Sequence, residues 1–66
     1  MNFEYLKNQF YCHNVTILTA NRTYNGFLAN MGDDVIELVS PEINGDIKTY
    51  PLSISIRYIE GITKRD

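Results

Sequence analysis

The sequence predicts an all-β fold, a five-stranded and strongly bent antiparallel small barrel with a short N-terminal α-helix. Three observations support this fold class. The chain has only 66 residues, so it can form one domain at most. Short runs of β-branched and aromatic residues follow one another from residue 14 onward. Gly26 lies inside one of these runs, where glycine is unfavourable unless the backbone bends or lies close to another segment. We therefore assign Gly26 as a structural glycine at a bend.

The first half of the chain predicts the helix and two strands. Asn2 can cap a helix, and Phe3, Leu6 and Phe10 recur at three- and four-residue steps, which predicts a helix over about 3–10. From residue 14 the pattern becomes β-branched and mostly alternating, which predicts a strand over 14–20. A turn at Asn21 and Arg22 then leads into a second strand over 23–31.

The second half predicts three further strands. A glycine-led acidic turn at 32–34 precedes a third strand over 35–40. An Asn-Gly pair at 44–45 is a strong hairpin signal, so a fourth strand is expected over 46–51. Segment 52–55 predicts a single 3₁₀ turn, followed by a fifth strand over 56–62. No repeat or linker divides the chain, so we expect one domain over 1–66.

A chain of this length buries only about 60% of the surface that its unfolded form exposes, so additional burial is expected. Cys12 is the only cysteine, which excludes a disulfide within one chain. Cys12 and His13 fall short of the four ligands of a structural zinc site, so no metal or other cofactor is expected. Self-association is the expected source of further burial.

Six basic and eight acidic side chains give a net charge of −2, so no overall basic field attracts nucleic acid or a membrane surface. No apolar run approaches the length of a membrane span, and no export signal is apparent. The unpaired cysteine agrees with a reducing compartment, and we expect a cytoplasmic protein. Nothing in the sequence indicates a small-molecule substrate.

The order of elements, together with Gly26, Leu28, Asp33 and the apolar run 35–38, resembles the Sm-like (LSm/Hfq-type) family of SH3-like small barrels. The resemblance covers roughly residues 2–62. It implies a homo-oligomeric ring in which the fourth strand of one subunit pairs with the fifth strand of the next. The interface candidates that follow from this arrangement are Ile47, Ile56, Tyr58 and Ile59.

The sequence departs from the family at positions that bear on RNA binding. Gly32 stands where the family usually has an aspartate, and Ile36 replaces an asparagine of the uridine pocket. Tyr50 falls about where a tyrosine of the second motif lies, but Pro51 and Leu52 follow it. The resemblance therefore implies that the familiar RNA pocket is largely missing.

Catalysis is not expected. Cys12 and His13 are neighbours in an extended segment, which points them to opposite faces, and no second histidine completes a triad. Asp33 and Asp34 are typical of a solvated turn. The remaining constellation is five tyrosines with several basic residues, which can stack on bases and hold phosphates, although tyrosine is also an ordinary strand residue. The RNA-binding candidates are Tyr50, Arg57, Arg22, Asn30 and Asp33.

Two functions from different classes remain open at this stage. The first is a non-enzymatic, ring-forming Sm-like module that binds single-stranded RNA. The second is a protein-interaction scaffold, of phage or mobile-element origin, that keeps the ring and has lost the RNA pocket. The acidic balance and the substitutions at the family's RNA-binding positions favour the second.

Overall fold

The computed structural model describes residues 2–65 and contains one α-helix, six antiparallel strands and one 3₁₀ turn. The elements in chain order are α1 Phe3–Phe10, β1 Asn14–Leu18, β2 Thr23–Met31, β3 Val35–Ile43, β4 Asp46–Ile47, β5 Leu52–Ser55, the 3₁₀ turn Ile56–Tyr58 and β6 Gly61–Lys64. The predicted class, mostly β with a short N-terminal helix, is confirmed.

Helix α1 forms because its first turn is capped and one of its faces is apolar. The Asn2 Oδ1 atom accepts a hydrogen bond from the backbone N–H of Tyr5 at 3.2 Å. Leu6 and Phe10 lie four residues apart on the same face, and both are buried. The helix ends at Tyr11, whose backbone is extended. Burial of this face joins α1 to the core of the sheet.

The six strands form one sheet in the order β4-β3-β2-β1-β6, and β5 also pairs with β3. The first part of β3, from Val35 to Leu38, pairs with β5, whereas Glu42 and Ile43 pair with β4. Ser40 separates these two parts and has a positive φ of 52°. Within residues 2–65, β5 and β6 do not pair with each other. The sheet is therefore open, with six strands, where the sequence predicts five strands in a closed barrel.

Gly26 lies at an irregular point of the β2–β3 ladder. The register shifts between Asn25 and Phe27, and shifts again between Leu28 and Asn30. A Cβ atom at Gly26 would lie 3.1 Å from the Leu38 Cβ atom and 3.3 Å from the Val39 carbonyl oxygen. The close approach of β3 to the backbone at this position explains why a glycine stands in the middle of a strand.

The core is formed by one face of the sheet together with α1. Strand alternation brings Val15 and Ile17 of β1 to the same side as Leu28 of β2. These three side chains are fully buried. The remaining members of the core cluster are Leu6, Phe10, Ile36, Leu38, Ile54, Ile56 and Ile59.

The C-terminal third differs from the sequence prediction. The fourth strand expected over 46–51 is the two-residue β4, and the segment 52–55 expected as a 3₁₀ turn is strand β5. The 3₁₀ turn lies instead at the start of the fifth strand expected over 56–62, and β6 covers only the end of that range and continues to Lys64. The 3₁₀ turn lies after β5 and not before it because Ile56 and Ile59 are three residues apart. This spacing places both side chains on the core side of a 3₁₀ turn.

Candidate functional site

A groove of about 620 Å³ runs along the free side of β5. We call it the edge groove. One wall is the β1–β2 turn with Tyr24, the floor is β5, and the other wall is formed by Arg57, Tyr58 and Glu60. The residues of the turn that line it are Thr19, Ala20 and Asn21, and all four residues of β5 take part.

The floor of the edge groove offers unpaired backbone groups. The N–H of Ile56 donates to the carbonyl oxygen of Asp34 at 2.8 Å, which fixes the phase of the ladder between β5 and β3. Amides of an antiparallel strand point alternately to the two sides. The N–H groups of Ser53 and Ser55 therefore point away from β3, and both residues line the groove.

At the opposite end of the sheet, strand β6 also has backbone N–H groups that point away from its partner strand. The N–H of Arg65 donates to the carbonyl oxygen of Asn14 at 2.7 Å, and Val15 lies opposite Lys64. By the same alternation, the N–H groups of Ile62 and Lys64 point away from β1. The sheet thus has β4 and β5 as edge strands on the side of β3 and β6 as the edge strand on the side of β1, and the outward amides of β5 and β6 can pair with another chain.

Arg57 and Tyr58 form a charged aromatic wall of the groove. The guanidinium carbon of Arg57 lies 5.2 Å from the centroid of the Tyr58 ring, and Nη2 donates to the Tyr58 hydroxyl at 3.4 Å. Both side chains are exposed, so this cation–π contact is accessible from solvent. Tyr24 on the facing wall is half-buried. The groove therefore combines aromatic rings, a cation and backbone donors.

The structure does not bring the five RNA-binding candidates into one site. Arg57 lines the edge groove, and Arg22 lies in the β1–β2 turn, where its N–H donates to the Thr19 hydroxyl. Tyr50 is exposed on the connection between β4 and β5, and Asp33 is exposed in the β2–β3 turn. Asn30 is exposed on β2 and donates to Glu37 Oε1 at 2.7 Å. The last three line neither of the two cavities described.

The four interface candidates fall into two groups. Ile47 is 71% exposed, and Tyr58 is exposed on the groove wall. Ile56 and Ile59 are each only 8% exposed and belong to the core of the chain itself. Their side chains are therefore already in use for folding, and Ile47 and Tyr58 are the members of the set available for contact with another molecule.

The other polar features do not form a second chemical centre. Within residues 2–65, no group of three or more His, Cys, Asp and Glu residues is placed to hold a metal ion. Cys12 is exposed and has a positive φ of 65°. In the same described part of the chain, the one α-helix spans eight residues and no helix has the length and apolarity to cross a bilayer.

The sequence analysis did not predict the outward-pointing amides of the edge strands. The outward amides of Ser53, Ser55 and Lys64 depend on which strands pair, and pairing is a long-range property. A signal was present for β5, because Leu52 and Ile54 alternate with Ser53 and Ser55, and this is the period of a half-buried strand.

The fold and the groove together define a class: a small antiparallel β protein with an open sheet and exposed edge strands. Comparison with protein-family models, with curated proteins and with solved structures gives no significant match. The function is therefore argued from the geometry described above.

Proposed function

We propose that this chain is an Sm-like, non-enzymatic binding module that assembles into a homo-oligomeric ring and binds single-stranded RNA. The observation that supports it best is the presence of two four-residue edge strands with outward-pointing amides, β5 and β6, in one small sheet. Pairing of β5 in one copy with β6 in the next satisfies the outward amides of both strands. It also provides the burial that a chain of 66 residues lacks.

The dimensions of the two edges suit each other. β5 and β6 are both four residues long, so a ladder between them can use the whole of each strand. A contact between two different surfaces of identical subunits is heterologous, and it produces a ring when the rotation closes. In the proposed ring, the open edges of each sheet are covered by pairing with the sheets of the neighbouring copies.

The proposed ring can be tested by removing one backbone N–H group of β5. Ser53→Pro removes an outward N–H of β5, and Ser53→Ala is the matched control because it removes the hydroxyl and keeps the amide. We expect light scattering to show a multimeric mass for the parent and for Ser53→Ala, and a smaller particle for Ser53→Pro with its β-type circular dichroism retained. A monomeric parent protein at working concentration would contradict the ring.

The RNA part of the proposal rests on the exposed aromatic and basic groups. Arg57 and Tyr58 provide a cation and a ring on the groove wall, and Arg22 is exposed in the β1–β2 turn without lining the groove. Contacts to phosphates make affinity salt-dependent. With a net charge of −2 and few basic residues near the groove, we expect weak binding that falls only modestly as salt rises. Arg57→Gln should weaken the binding of short A-rich or U-rich RNA and reduce its salt dependence.

The scaffold function remains a second candidate because of one specific observation. Ile36, which replaces an asparagine of the uridine pocket in the family that the chain resembles, is fully buried in the core and cannot contact a ligand. A ring that shows no RNA binding in low-salt titrations at micromolar protein would favour the scaffold. RNA binding that Arg57→Gln weakens would exclude it.

A further inference from the structure

A second surface lies on the outer face of the sheet, away from both edges. Phe27 of β2 stands between Asn14 of β1 and Val39 of β3 in one cross-strand row. Asn25 lies two residues before Phe27 on the same face. These four residues and Arg65 line a cavity of about 320 Å³, and we call them the outer platform.

We propose that the outer platform binds an unpaired nucleobase of single-stranded RNA by stacking on the Phe27 ring. The inference rests on the RNA-binding function proposed above and adds a site that the edge groove does not include. Phe27 is 38% exposed although it occupies the middle of a strand, so its ring is available to a flat ligand. An aromatic ring on an open sheet face is a general platform for unpaired bases.

The polar groups around the ring suit a base and its phosphate. Thr16 donates to Asn25 Oδ1 at 2.6 Å, which leaves the Nδ2 group of Asn25 as the donor of that side chain. Amides can hydrogen-bond to the edges of an unstacked base.

Arg65 is the cation of the platform. Its Nη1 atom lies 4.0 Å from Glu42 Oε1, and both side chains are substantially solvent-exposed. An ion pair of this kind contributes little and is easily exchanged for another partner. The Arg65 guanidinium is therefore available to a phosphate of the bound strand.

A nucleobase fits the platform better than a protein partner does. A specific protein interface covers about 800 Å² on each side. The large apolar side chains that line this cavity are Phe27, Val39 and Ile47, and amides, a serine and the Arg65–Glu42 ion pair interrupt them. A single nucleobase, by contrast, needs only one aromatic side chain on which to stack. Pairing of β5 and β6 with neighbouring copies also leaves the Phe27 ring open, because Phe27 and its cross-strand neighbours lie on the inner strands β1, β2 and β3.

The test titrates the full chain and its variants into fluorescein-labelled oligoadenylate and oligouridylate of about 12 nucleotides, and follows anisotropy at low salt. Phe27→Leu keeps an apolar side chain and removes the ring, and we expect it to weaken binding by about 5- to 150-fold. Tyr5→Leu removes an exposed ring from α1 and is the matched control, with unchanged affinity expected. Arg65→Gln should lower the salt slope by about 0.7.

The remaining outcomes separate this inference from the proposed function. Binding that is equal in the parent protein and Phe27→Leu overturns the platform and keeps the RNA function. No binding by the parent protein overturns both. A change in particle mass on Phe27→Leu, without RNA binding, would identify the platform as a contact between copies and overturns the nucleobase proposal. A shift of the Asn25 side-chain amide NMR signal on RNA addition would support it.

Discussion

Alanine at the two strand glycines should have opposite effects on stability. At Gly26, a new Cβ atom would meet the Leu38 Cβ atom at 3.1 Å and the Val39 carbonyl oxygen at 3.3 Å. The Val39 carbonyl oxygen is part of the backbone of β3, and the Leu38 Cβ atom is bonded to the Cα atom of the same strand. Neither atom can therefore move away without a shift of β3. At Gly61, the nearest atom would be Leu18 Cδ1 at 3.3 Å, and Leu18 is 46% exposed and can rotate away.

The magnitudes follow from two competing effects. Replacing glycine by alanine stabilises by about 0.4–1 kcal/mol through the unfolded chain, provided the native backbone accepts it. Overpacking costs about 1–3 kcal/mol. Gly26→Ala should therefore be destabilising by about 1–2 kcal/mol, and Gly61→Ala should be neutral or stabilising by up to about 1 kcal/mol. For a domain with about 3–10 kcal/mol of total stability, the first change is large.

Urea denaturation at one fixed protein concentration measures the difference, since assembly makes apparent stability depend on concentration. With a slope of about 1 kcal/mol per molar urea, Gly26→Ala should lower the midpoint by about 1–2 M. A midpoint for Gly26→Ala equal to or above that of Gly61→Ala would refute the reasoning from the close approach of β3.

Three further predictions concern the core, the helix cap and the hairpin. Ile59→Asp places a charge in the core and should unfold the chain, whereas Ile47→Asp at an exposed position should keep the parent's melting temperature; thermal circular dichroism compares them. Asn2→Ala removes the acceptor for the first turn of α1 and should cost about 1 kcal/mol by urea titration, and a cost near zero would mean the cap is not formed in solution. Gly45→Ala, at a φ of +86°, should cost about 1 kcal/mol in the same titration, and an unchanged midpoint would contradict the left-handed turn.

Local signals in the sequence were sufficient for much of the fold. Asn2 and the spacing of Phe3, Leu6 and Phe10 predict α1, because capping and amphipathic period are properties of neighbouring residues. Gly26 predicts an irregular, closely approached strand, and the register shift and the contact with β3 are found there.

The C-terminal third could not be assigned from local signals in the same way. Pro51 is the last residue of the fourth strand expected over 46–51, yet in the structure it stands immediately before β5. The two serines of β5 weaken its strand propensity, and its stability comes from pairing with the first part of β3. The 3₁₀ turn that follows forms because Ile56 and Ile59 both reach the core. Tertiary burial therefore decides this region.

The candidate sites were less predictable for a related reason. Arg57 was selected for its charge, and it does line the edge groove. Tyr50 and Asp33 were selected for their places in the family motifs that the sequence resembles, and neither lines the two cavities described, because the placement of their turns depends on tertiary structure. Phe27 was overlooked because an aromatic residue in a strand is usually buried, and only the strand register shows that it faces outward.

The β3–β4 hairpin gives the molecule a position where foreign sequence can be displayed. Its tip, residues 44–47, is exposed, and β4 pairs with β3 alone. The N–H of Lys48 donates to the carbonyl oxygen of Pro41 at 2.8 Å and fastens the hairpin at its base. A peptide epitope grafted between Asn44 and Gly45 would therefore extend into solvent from the end of the hairpin, and the core would be unchanged. If copies join through β5 and β6, each particle would carry that epitope once per subunit.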